Sequence, residues 1–383
     1  MIHRTLSLLV FFSLAAAASA QQASEDTWRF AVSGDSRNCG DVVMPTIAES
    51  VLQHQVEFYW HLGDFRVGYD IDEDMRNQYG DKLTVDDYTH DAWGDFLSNQ
   101  IAPFGKLPIY LGIGNHELYR DGKGKEDESH ADFITQFHYW LDKPELRKQR
   151  LSDDPKNGSL NAYYHWKKRP VDFIYLDNSK DEGFDKDQLA WLEGVLKKDK
   201  TEQDVLAVVV GMHRALPNSF ACGHSMNGDP GTSPDANRSS LESGRAAYKY
   251  LLDFQSAAHK RVYVLASHSH FFMQDIFDTP YWKNSSEKDR GVLDGWLIGT
   301  AGAKRYRLPD NLPSATLAIT YTYGYLLARV HGDGTVNFEF QQITEDDVPP
   351  DVKTRYGKKF VDVCFLANRD DTPHVPEASC NDK

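Results

Sequence analysis

Seven residues of the kinds that bind metal ions or move protons stand in short polar clusters: Asp35, Asp64, Asn115, His116, His213, His268 and His270. The clusters read Gly34-Asp35, Gly63-Asp64, Gly114-Asn115-His116-Glu117, Gly211-Met212-His213 and Ser267-His268-Ser269-His270. Carboxylate, amide carbonyl and imidazole are ligands for hard or borderline divalent metals. No cysteine accompanies them, which argues against a structural zinc site. Mixed oxygen and nitrogen donors suit two adjacent metals about 3.5–4 Å apart, a pair that activates a water and clamps both attacking and leaving oxygens. Each cluster alone is weak. A Gly-Asp pair usually makes a turn, and His213 alone could be a half-buried core histidine. His268 and His270, two apart on extended chain, face the same side, but could equally be a solvated pair. The ordered set carries the weight.

Such residues need elements to bring them together. Each cluster follows an apolar run of strand character: Trp28–Ser33, Val56–Leu62, Leu107–Ile113, Val205–Val210 and Val262–Ala266. Near-continuous apolar runs mark strands buried on both faces. Helical patterns over Met44–His54, Asp87–Ile101, Asp185–Leu196 and Leu241–Ala258 alternate with them, with a further strand at Val171–Leu176. The stretch Tyr119–Asp132 reads as loop. Strands near Trp296–Thr300, Tyr321–Val330 and Val336–Phe340 close the pattern. In α/β sheets, ligands bind beyond the carboxyl ends of strands, so five such tips can converge. The glycines before Asp35, Asp64 and Asn115 are expected to let the chain turn sharply there.

The 383 residues, 40% hydrophobic and 26% charged, have ordinary globular composition. A net charge of −15 argues against broad nucleic-acid or anionic-membrane binding. An anionic substrate stays possible where bound cations set the local field. Residues 1–20 have a charged start, an apolar Leu6–Ala18 and a small-residue site at Ala18-Ser19-Ala20, the layout of a secretory signal peptide. A secreted or periplasmic protein without a membrane span is expected. The four cysteines allow three pairings, of which Cys39–Cys222 with Cys364–Cys380 is preferred. The domain is expected over residues 27–345, with a loosely packed extension over 346–383. Asn157, Asn237 and Asn284 begin glycosylation sequons.

The ordered clusters resemble the calcineurin-like metallophosphoesterase superfamily, which includes the purple acid phosphatases, over about residues 28–340. The resemblance implies a four-layer α/β/β/α sandwich of two mixed sheets. It implies two divalent or trivalent metal ions (Fe, Mn, Zn or Mg), with Asp64 bridging, Asp35 and His270 on the first, and Asn115, His213 and His268 on the second. His116 would protonate the leaving group, and Glu117 could orient it. The expected reaction is hydrolysis of a small or nucleotide-like phosphate ester, monoester or diester, by a metal-activated hydroxide.

Three positions depart from that pattern. Arg37 stands where most of the superfamily has a first-metal histidine, and an always-charged guanidinium cannot bind a metal. It could hold a phosphate oxygen bidentately or form a structural ion pair. Val67 stands where purple acid phosphatases have a ligand tyrosine, with Tyr69 two residues on. Ser267 replaces a usual glycine. His224, Tyr119, Arg120, Arg214 and Tyr306 lie near the expected tips and could shape a pocket, although surface placement is their ordinary fate. Two rival readings remain: a catalytically impaired family member that binds a ligand or partner, and a mononuclear metallohydrolase of non-phosphate esters.

Overall fold

The computed structural model describes residues 27–371 except 81, 119–125, 156–157, 222–223, 229–231, 286–290, 310–311 and 313–316. The described residues form fourteen strands, numbered in chain order. The first sheet holds β1 (Trp28–Ser33), β2 (Tyr59–His61) and β3 (Ile109–Leu111). The second starts with β4 (Tyr164–Lys168), β5 (Val171–Leu176), β6 (Ala207–Met212), β7 (Arg261–Ala266), β8 (Phe272–Gln274) and β9 (Asp294–Ile298). Then follow β10 (Arg305–Tyr306), β11 (Ala318–Ile319), β12 (Tyr323–Val330), β13 (Val336–Ile343) and β14 (Arg369–Asp370).

Both large sheets are mixed. One runs β13-β12-β1-β2-β3, with β1, β2 and β3 parallel and the β12–β13 hairpin antiparallel beside β1. The other runs β11-β8-β9-β7-β6-β5-β4, parallel from β5 through β9. The period of two along a strand divides the core. Phe173 and Tyr175 of β5, Val209 of β6, and Tyr263 and Leu265 of β7 face the first sheet, where Phe30, Phe58 and Trp60 meet them. Their alternates Ile174, Leu176, Val208, Val210, Val262 and Val264 pack with Leu192, Val195 and Leu196 of the helix Lys186–Thr201, and with Leu251 and Leu252 of the helix Pro234–Ala258. The helix Gly40–Gln53 covers the first sheet's outer side, where Met44 Sδ lies 3.6 Å from the Tyr59 hydroxyl. The α/β/β/α sandwich expected from the sequence is therefore the fold.

Three expectations are corrected. Within Tyr119–Asp132, read as loop, residues from Glu126 on belong to a helix, Glu126–Gln136. Its sequence is polar, but Phe133 and, just past its end, Phe137 are four apart and pack on Phe65. The segment after Thr344 is not loose through residue 371: Val352, Tyr356, Phe360, Val361 and Cys364 are buried in the main core. Cys39 pairs with Cys364 rather than Cys222, because that packed segment brings Cys364 to the start of the Gly40–Gln53 helix. Cys222 and Cys380 lie outside the described residues, as do the expected signal segment, Tyr119, Arg120 and Asn157.

Candidate metal centre

The chemistry-bearing residues sit at the carboxyl ends of β1, β2, β6 and β7 and in the loop after β3. Backbone bonds knit these tips together. The Asp35 and Ser36 amides donate to the Gly63 and Asp64 carbonyls at 3.0 and 2.9 Å, and the Ser267 amide donates to the His213 carbonyl at 2.9 Å. The turns are not made as the glycines suggested. Asp35, Asp64 and His268 themselves take left-handed backbone, φ 61°, 59° and 66°, which L residues adopt at some cost. Gly34 and Gly114 serve close approach instead. A Cβ on Gly34 would lie 2.7 Å from Ser267 Cβ, and one on Gly114 would lie 2.3 Å from Asp64 Oδ1. Only Gly63 does both, with φ 99° and the Gly114 amide nitrogen 2.4 Å from its would-be Cβ.

Two groups of donors result, and Asp64 belongs to both: Asp64, His213 and His268 in one, Asp35, Asp64 and His270 in the other. In the first, His213 Nε2 lies 3.2 Å from Asp64 Oδ1, 3.1 Å from His268 Nδ1 and 3.0 Å from Asn115 Oδ1. In the second, His270 Nε2 lies 3.2 Å from Asp35 Oδ1. The tautomers follow from the backbone. A carbonyl only accepts, so His213 Nδ1 carries its proton toward Leu62 O at 3.0 Å, and His270 Nδ1 carries its proton toward Lys304 O at 2.7 Å. Both Nε2 lone pairs are thereby aimed at carboxylates. Asp64 Oδ2 is buried without a hydrogen-bond partner. Donor atoms crowded to 3.0–3.2 Å around His213 Nε2, beside a carboxylate with one unpartnered oxygen, fit a cation, and the outer carbonyls holding His213 and His270 are the supports that ligating imidazoles use.

His116 and Arg37 adjoin this centre. The His116 amide donates to Asp64 Oδ1 at 3.0 Å, and its ring Nδ1–H donates to Val67 O at 2.6 Å. Its Nε2 therefore accepts from Arg37 Nη1. Burial and the neighbouring guanidinium push this histidine down to about 4. Arg37 is itself buried, with Nε 3.8 Å from Asp64 Oδ2 and Nη2 3.0 Å from His270 Nε2. Burial alone would raise the Asp64 carboxyl, but His116, His213 and Arg37 outweigh it and hold it well below the usual carboxylate range. Burial, then His213, Arg214 and His224, push His268 well below the usual imidazole value.

Glu117 does something the sequence did not suggest. Its carboxylate accepts the amides of Asp64 at 2.9 Å, Phe65 at 2.8 Å and Gly114 at 2.6 Å. It orients the Asp64 loop rather than the His116 ring. Burial beside Asp64 pushes it up to about 7. Ser267, a departure at sequence level, accepts from His213 Nδ1 at 3.1 Å. No sequence signal marks the Val67, Leu62 and Lys304 carbonyls, because any residue type supplies one.

The rim is aromatic. Tyr69 is 56% exposed, with its ring 5.3 Å from that of His116. Tyr306 stacks on His270 at 4.0 Å and meets His224 at 5.3 Å, while His224 lies 5.5 Å from His268. Arg214 turns aside to Asp181 at 3.0 Å.

The fold is similar to that of the purple acid phosphatase PPD1 from yellow lupin (Lupinus luteus) seeds, at 15% identity over 82% of this chain and 51% of that one, TM-score 0.53. It is also similar to PhoD, at 13% identity over 83% of this chain and 72% of that one, TM-score 0.50. This chain spans about half the length of the lupin phosphatase. No protein-family model and no curated protein sequence matches the chain. At such identities the likeness concerns architecture, and the chain has the calcineurin-like metallophosphoesterase fold. No helix among the described residues is long and apolar enough to cross a membrane.

Proposed function

We propose that the protein is a metal-dependent phosphoester hydrolase working outside the cytosol. The observation that carries this reading is the pair of donor groups sharing Asp64, with His116 alongside. The likeness in fold to the lupin purple acid phosphatase supports it. Asp64, Asn115, His213 and His268 would hold metal, with Asp35 and His270 as the further donor set. A bound ion would supply Lewis acidity and an activated water. Arg37 adds fixed positive charge where phosphate charge develops. His116 is a neutral imidazole while Arg37 faces its Nε2. A bound phosphate brings negative charge against that guanidinium, which favours the protonated ring and makes His116 the acid for the leaving alkoxide. The Cys39–Cys364 disulfide supports an oxidising compartment, in keeping with residues 1–20 as a signal peptide. The catalytic unit is taken as residues 27–345, clamped by the C-terminal extension.

The contact of Arg37 with His270 Nε2 favours one alternative, a family member with impaired catalysis that serves as a binding protein. The deciding experiment is turnover of a panel of phosphate mono- and diesters by purified, metal-analysed protein. Turnover that is lost on chelation and restored by Mn²⁺, Zn²⁺ or Fe supports hydrolysis. Stable metal content with no turnover of any ester would leave the binding reading.

A further inference from the structure

We propose that Arg37 takes the place of one of the two ions, so that the centre binds a single metal at Asp64, Asn115, His213 and His268. This rests on the metallohydrolase reading. The sequence expectation of two ions becomes one ion and one guanidinium.

The argument begins with a competition for one lone pair. His270 spends its Nδ1 proton on Lys304 O at 2.7 Å, so Nε2 is the only ring atom able to ligate. Arg37 Nη2 donates to that same Nε2 at 3.0 Å. The lone pair cannot serve a metal and this hydrogen bond together. Charge points the same way. Arg37 Nε lies 3.8 Å from Oδ2 of Asp64, the carboxylate that belongs to both donor groups. A guanidinium does not deprotonate, so an ion lodged among Asp35, Asp64 and His270 would face a fixed like charge in a buried, weakly screening place.

The guanidinium is also held there. The Arg37 carbonyl accepts the Cys39 amide at 2.9 Å, and Cys39 is bonded to Cys364. Between Arg37 and Cys39, Asn38 takes left-handed backbone, φ 70°, with its amide donating to Asp72 and its side chain to Glu73 at 2.6 Å. Arg37 therefore sits on a loop pinned by a covalent bond and by side-chain bonds, and is itself 8% exposed. Among the described residues, no guanidinium or ammonium donates to a histidine of the other donor group. Around His213 Nε2 stand Asn115, Asp64 and His268 at 3.0–3.2 Å, and the nearby Arg214 is drawn off to Asp181.

The test is metal stoichiometry by plasma mass spectrometry on protein saturated with Mn²⁺ and freed of excess ion, read with Mn²⁺ electron paramagnetic resonance. The wild-type chain is expected to hold one ion per molecule with an uncoupled six-line spectrum. Arg37→His removes the fixed charge and offers an imidazole; it is expected to hold two ions with exchange coupling. Two ions in the wild-type chain would overturn the proposal. So would a folded Arg37→His that stays at one ion, folding being checked by circular dichroism. Wild-type stoichiometry decides even where the variant does not fold. Turnover is scored separately. One ion without phosphoester turnover sinks the functional reading and leaves this one standing, whereas two ions with turnover does the reverse.

Discussion

At the scale of single residues, His116 has the position most directly tied to chemistry. Its Nδ1 is anchored on Val67 O and its amide on Asp64 Oδ1, so the ring is fixed relative to the centre without being one of its donors. His116→Ala should therefore leave metal content unchanged while lowering turnover by roughly 10²–10⁴-fold, the range for a general acid. Esters with poor leaving groups should lose more than those with good ones, because only the former need the proton. A series of aryl and alkyl phosphates measured on the variant checks this; equal losses across the series would contradict the acid role. Most residues of the candidate centre could be singled out in the sequence, because only a few side-chain types can serve as metal donors. Two roles could not. Glu117 binds three backbone amides, a role set by how two loops meet. The orientation of Arg37 is likewise tertiary: sequence shows a cation where a ligand was expected, but not that it turns inward onto His270.

At the scale of elements, the centre depends on how closely strand tips from the two sheets approach. Gly34 follows β1 of the first sheet, and Ser267 follows β7 of the second. A methyl on Gly34 would press within 2.7 Å of both Ser267 Cβ and Oγ. The Ser267 hydroxyl cannot simply rotate away, since it also donates to Leu62 O at 3.1 Å. Gly34→Ala should force the tips apart, costing about 1–3 kcal/mol as other overpacked sites do and weakening metal affinity. Adding Ser267→Gly removes both clashing atoms. The double variant should recover much of the stability lost, and denaturant unfolding of the four proteins in the cycle measures the coupling. Additive losses would show that the two tips do not press on one another. The strands carrying these tips were readable as apolar runs with sharp polar ends. β4 was not, because Tyr164–Lys168 mixes aromatic and basic residues at a sheet edge. The helix Glu126–Gln136 was missed for the reason given by its composition: only its packing on Phe65 shows which face is buried.

At the scale of the whole molecule, the segment around Cys39 meets the one around Cys364 beside the centre. Cys39 and Cys364 are 325 residues apart, a pairing that sequence spacing cannot indicate, since four cysteines leave every combination open. The surrounding contacts show that the bond continues a packed interface. Tyr356 OH donates to Asp41 at 3.0 Å, and Asn77 donates to the Tyr356 carbonyl at 3.0 Å. Arg305 spreads its guanidinium over the carbonyls of Tyr321, Cys364, Phe365 and Asn368. The disulfide thus closes nearly the entire domain while bracing the loop that carries Asp35 and Arg37. Replacing both cysteines, Cys39→Ala with Cys364→Ala, should lower unfolding free energy by about 2–5 kcal/mol, as removal of native disulfides does. The consequence should not be confined to stability. With the loop freed on one side, Arg37 loses part of what holds it against His270, so the double variant should take up more than one Mn²⁺ per chain at saturation. Equilibrium unfolding and metal analysis on the same preparations separate the two effects. A destabilised variant with wild-type metal content would show that the packed C-terminal segment and the Asn38 bonds fix Arg37 without the disulfide.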